Sequence, residues 1–247
     1  MSGHSHWSSI KHKKGRADEK RSKDFAKLSK IIEVAARNGK DPDLNPRLAI
    51  AVEKARGFNM PTENIERAIK KGSGQLTEGE KLEEITYEGY GPAGIAVIIE
   101  VITDNKNRTV NELKHLFTQF GGKFAETGAV RWMFERKGVI SLNIEQESLK
   151  ELTKEQKKEK LELLAIEAGA ENINWFEDRM DIYINIDRIK QIKDDLSKNN
   201  LIIEEVSLDW IPSNYQEVSS EDKEKIESFF EAFDENDSVQ EIYSNLR

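Results

Sequence analysis

Between Arg16 and Arg37 the chain has neither proline nor glycine, and Gly39 lies just beyond, the pattern of one continuous helix with its stop signal. At 100° per residue, Arg16, Lys20, Lys23, Lys27 and Lys30 fall in one narrow stripe. Phe25, Leu28, Ile32, Ala35 and Ala36 cluster about 140° away. Such a helix buries one face and shows a row of cations on the other, so the elements that follow must supply its apolar seat. Cations one turn apart match the charge row of a phosphate backbone, whose neutralisation releases counterions. Surface lysines more often form a plain solvated face. Here few acids flank the stripe and a basic run, Lys11-His12-Lys13-Lys14-Gly15-Arg16, precedes it, which favours contact with an anion.

The rest of the chain is charged the other way. Residues 1–75 hold 17 Lys and Arg against 9 Asp and Glu, a net +8. The remainder holds 21 against 37, a net −16, which together give the chain's −8. A basic head on an acidic body points to an anionic partner for the head and leaves the body as a possible protein-contact surface. The candidate nucleic-acid contacts are Trp7, Lys11, His12, Lys13, Lys14, Arg16, Lys20, Arg21, Lys23, Lys27 and Lys30. Residues 1–15 read as an arm with little structure of its own. Trp7 there is either a base-stacking platform or an anchor that packs the arm onto the body.

Periodicity divides the 247 residues into three parts. In the first, residues 1–75, Asn45-Pro46 caps a second helix that turns Leu48, Ala51, Val52 and Ala55 inward. Pro61 opens a third, stopped by Gly72, and three helices with short connections make a small bundle. The pair joined by Gly57-Phe58-Asn59-Met60 invites a helix-turn-helix reading, yet a reading helix would be expected to carry the densest positive charge, which lies on the arm and first helix instead. Past a linker at 73–80, strands Ile85–Tyr90 and Ile95–Thr103 flank a turn. The polar loop Asp104–Thr109 ends in an N-cap, a helix with Val110, Leu113, Leu116, Phe117 and Phe120 follows, and a strand near Val130–Phe134 completes the unit. Residues 138–208 then read βαββαβ, the ferredoxin-like order. The helix Ser220–Phe233 returns to the middle unit. The expected fold is therefore α+β and multidomain: a helical head (1–75), an α/β sandwich (82–137 with 209–247), and a second, ferredoxin-like one inserted in it (138–208).

The sequence offers little catalytic chemistry. Gly89–Gly94 fits GxGxxG in letters, but Pro92 removes an amide and a strand follows, so no helix N-terminus faces a pyrophosphate. His4 and His6 lack ligand partners at metal spacing, and there is no cysteine for a disulfide, thiolate or zinc site. We expect no enzyme activity, no cofactor and no metal. No apolar run approaches 18 residues and the start lacks a secretory core, so a cytoplasmic protein without a membrane partner is expected.

Several long strings resemble the YebC family: Gly3-His4-Ser5 with Trp7, Ile10–Lys14, Asn45–Leu48, Asn64–Gly72, Tyr87–Pro92, Asn107–Val110 and Phe134–Ile140. The resemblance covers roughly residues 3–140 in wording and the remainder in layout. It implies a three-domain, non-enzymatic, nucleic-acid-associated protein. Bacterial members are described as probable transcriptional regulators, some of which bind DNA, and others resemble translation factors that work on the ribosome at proline runs, with rRNA or tRNA as the partner. Three positions depart from the family's pattern: His6 and Lys106 for a more basic residue, and Ala93 for glycine.

Overall fold

The computed structural model describes residues 18–74, 81–176 and 178–247, with side chains from Arg21 onward. Three helices open it: α1 (Asp18–Ala36), α2 (Pro46–Gly57) and α3 (Thr62–Gly72). Asn45 sets the first corner. Its side-chain oxygen accepts from the Leu48 amide at the start of α2, while its amide donates to the carbonyls of Ala35 and Gly39, both at 2.8 Å. One side chain thus supplies a helix cap and satisfies two carbonyls left over at the end of another helix. Leu28, Ile32 and Ala35 of α1 share a core with Leu48, Ala51 and Val52 of α2 and with Ile65 and Ala68 of α3. Gly72 lets α3 end against α1, because a Cβ there would lie 2.0 Å from the Glu33 carbonyl oxygen.

The chain continues through β1 (Glu83–Tyr90), β2 (Ala96–Thr103), α4 (Lys106–Gln119) and β3 (Lys123–Ala125). It then runs through β4 (Phe134–Asn143), α5 (Lys154–Ala168), β5 (Asn172–Trp175), β6 (Arg179–Ile184), α6 (Ile189–Lys198) and β7 (Ile203–Pro212), and ends with α7 (Ser220–Asp234) and β8 (Val239–Ser244). Two four-stranded sheets result, ordered β3-β1-β2-β8 and β5-β6-β4-β7. The chain divides into two compact units, Arg136–Ile211 and the residues on either side of it in sequence, up to Glu135 and from Pro212.

In the flanking unit, α4 and α7 cover one face of the first sheet. Phe117 of α4 meets Phe229 and Phe233 of α7 edge-on, and Tyr87, Ile99 and Ile242 come from the strands beneath. Gly89 belongs to this packing, since a Cβ on it would meet the Phe117 ring at 2.4 Å. On the adjacent position of β1, Glu88 is only 2% exposed. Its carboxylate accepts from the amides of Gly128, Val130 and Arg131 at 2.7, 2.8 and 2.9 Å. Three charge-assisted bonds in a buried setting hold that loop in one conformation. The inserted unit pairs β4 with β6 (Ile140 opposite Ile182) and β6 with β5, all antiparallel. A Thr153–Gln156 capping box starts its α5.

Two local expectations change. The helix expected after Thr109 starts earlier, because Asn105 is the cap and accepts from the Arg108 amide; Thr109 is buried inside the helix, its hydroxyl on that of Thr103. Val130–Phe134 is not a strand: Val130 belongs to the loop held by Glu88, a short 3-10 turn follows, and β4 begins at Phe134. The two strands β3 and β8 were not legible. Ala93 takes a left-handed φ of 56°, the conformation for which glycine is favoured.

Candidate nucleic-acid interface

The cations of α1 divide along its length. Trp7, Lys11, His12, Lys13, Lys14 and Arg16 lie outside the described residues, as does the side chain of Lys20. Arg21 and Lys23 are exposed and have no ion-pair partner among the described residues. Lys27, one turn on, is 9% exposed. Its ammonium donates to the backbone carbonyl of Asp234 at 2.5 Å and lies 3.4 Å from that residue's carboxylate. Lys30 donates to the carbonyl of Asp237 at 2.8 Å. Two of the expected phosphate contacts, Lys27 and Lys30, thus have their ammoniums against the end of α7 and the turn after it. A lysine survives such burial only when its charge is matched and its donors are used.

The reason lies farther along the same face. Val34 falls at the stripe's own angle and is buried with Leu82 and Ile102, with Ile31 packed beside them. The second half of α1 is consequently covered on both sides, by α2 and α3 on one and by the first sheet on the other. A stripe that changes from lysine to valine was the signal in the sequence for this docking.

Other head cations reach the same sheet. Arg37 donates to the Leu82 carbonyl at 2.7 Å, Arg47 pairs with Glu84, and Lys54 lies 2.7 Å from Glu241. Within the head, Lys71 pairs with the buried Glu33 at 2.9 Å. Lys40, Arg56 and Arg67 join Arg21 and Lys23 as exposed cations without an ion-pair partner among the described residues. Of the cations of α3, Lys71 is held by Glu33 and Lys70 lies 3.9 Å from Glu66, leaving Arg67. Arg21 and Lys23 are the ones next to the basic run in sequence, and exposed cations of this kind suit phosphates rather than base edges.

Among the described residues no group of three or more His, Asp or Glu is placed to hold a metal ion, and no helix is long and apolar enough to cross a membrane.

Comparison with known proteins agrees with this layout. Residues 5–75 match the TACO1/YebC protein N-terminal domain, and residues 82–246 the TACO1/YebC second and third domain. A probable transcriptional regulatory protein of Thermotoga petrophila is 48% identical over 247 residues, 100% of this chain and 94% of that protein. One of Caldanaerobacter subterraneus, also named a probable transcriptional regulatory protein, is 43% identical over 100% and 98% of the two chains. The crystal structure of a conserved hypothetical protein from Aquifex aeolicus superposes with a TM-score of 0.85 at 42% identity, covering 98% of this chain and 96% of that one. Matched by the two family models over residues 5–75 and 82–246, the chain belongs to the TACO1/YebC family.

Proposed function

We propose that the chain is a cytoplasmic, non-enzymatic regulatory protein that binds nucleic acid through the basic arm (Lys11, His12, Lys13, Lys14, Arg16) and the outer turns of α1 (Lys20, Arg21, Lys23), with DNA as its target. The observation that carries this reading is the division of the head's cations. Those of the inner half are used up by the body, whereas Arg21 and Lys23, continuous with the arm, have no acid opposite them among the described residues. Uncompensated cations bind phosphates mainly through counterion release. The relatives' names support a role in transcription. The head is read as a three-helix bundle, and the inserted unit as ferredoxin-like; its strand order β5-β6-β4-β7 supports that reading.

A second reading, a translation factor held on ribosomal RNA, draws on one feature: the open cations suit backbone and shape contacts more than base readout. Crosslinking in cells, followed by sequencing of the bound nucleic acid, separates the two. Peaks on promoter DNA support the first, clusters on ribosomal RNA the second, and enrichment of neither overturns both.

A further inference from the structure

Trp132 is 75% exposed, the most exposed aromatic side chain among the described residues. Leaving an indole in water is costly, and this one is not loosely placed. It sits on the turn that follows the loop held by Glu88, so its backbone is fixed by the three bonds from Gly128, Val130 and Arg131 to that buried carboxylate. The ring is fixed too, because its N–H donates to the Ala129 carbonyl at 3.1 Å. With its single polar group used internally, the indole has only its faces to offer. Its neighbours along the chain, Thr127, Gly128, Arg131 and Glu135, are themselves exposed and supply no apolar rim. A protein hot spot needs such a water-excluding rim and a patch of hundreds of Å². Stacking on a base needs one free ring face. Tyr215, 40% exposed, lies two residues beyond Ser213, whose amide donates to the Met133 carbonyl at 2.8 Å.

We propose that Trp132 is a stacking platform for an unpaired base of single-stranded nucleic acid. Glu126 and Glu135, also near in sequence, keep this patch from being strongly cationic, so it suits a splayed base better than a duplex with its denser charge. The proposal rests on the nucleic-acid reading above and adds a second contact to it, made by the body.

The test is fluorescence anisotropy of the full chain with a labelled oligouridylate and with a labelled DNA duplex of equal length, across a salt series. Trp132→Ala should weaken oligouridylate binding roughly 5- to 150-fold. It should leave the salt slope and duplex affinity unchanged, since no cation is lost. Trp132→Phe, which keeps a ring face, should restore most of the affinity. Unchanged binding by Trp132→Ala, with Lys23→Glu still defective, overturns the platform and leaves the nucleic-acid reading standing. Failure of the wild-type chain to bind either ligand overturns both. Intact oligouridylate binding together with loss of a co-purifying protein would assign the ring to protein contact and equally overturn it.

Discussion

Lys23 and Lys27 stand one turn apart on α1 and belong to the same cationic row in the sequence. Lys23 is open to solvent, whereas Lys27 is buried with its ammonium against Asp234. The difference comes from what lies opposite. The turn after α7 brings Asp234 and Asp237 against the inner half of the helix, and Val34, Leu82 and Ile102 close the contact around them. A charged row on a helix therefore has no single meaning: one half can be a docking face and the other a ligand face. Substitutions along α1 test that division directly.

The largest effect is expected from Lys27→Glu. It replaces a matched pair by two carboxylates in a setting where both side chains are mostly buried. Breaking a buried pair by removing one partner costs about 3 kcal/mol or more. Urea unfolding should report that loss, while nucleic-acid affinity of the folded fraction stays as in the wild type. Wild-type stability with lost binding would move Lys27 back among the ligand contacts and end the division.

Gly72→Ala probes the same inner half by shape alone. Its Cβ would run into the carbonyl of Glu33, backbone that cannot swing aside, so α3 must back away from α1. A cost of about 2 kcal/mol is expected, as for other overpacked sites, read as a lower urea midpoint at unchanged slope. Arg47→Gln should cost far less. Its pair with Glu84 is more than a third exposed on both sides, so about 0.5 kcal/mol or less is expected, shrinking further in added salt. A large loss there would mean that the docking is held at its rim instead of at Lys27.

Much of the fold was legible because its signals are local. The Asn45-Pro46 start of α2 and the Ser219 cap of α7 are each one side chain bonding to an amide three residues on. The missed strands lack such local signals. In β8, Val239 and Ile242 both face the core although they are three residues apart, because the register slips between Glu100 and Val101 of β2; strict alternation fails. The three residues of β3 are too few to carry a period at all. For the site, the sequence indicated the row of cations but not its division, since Asp234 lies 207 residues from Lys27. The indole platform was invisible for a similar reason. The loop before Trp132 is held by Glu88, a distant residue whose carboxylate gives no outward sign of gripping it.

The smallest effect on stability, and the sharpest contrast, should come from Arg21→Glu with Lys23→Glu. The chemistry is that of Lys27→Glu applied one and two turns earlier, on side chains with no ion-pair partner among the described residues. Surface changes of this kind stay within about 0.5 kcal/mol, so the unfolding curve should overlay the wild type. The plot of log affinity against log salt should instead flatten by about 2, one unit for each phosphate contact removed. Identical charge reversals would then divide cleanly, one costing stability and sparing binding, the other the reverse. If the outer pair lowers stability instead, those cations are docked in solution as Lys27 is, and the open charge must lie wholly on the arm that precedes them.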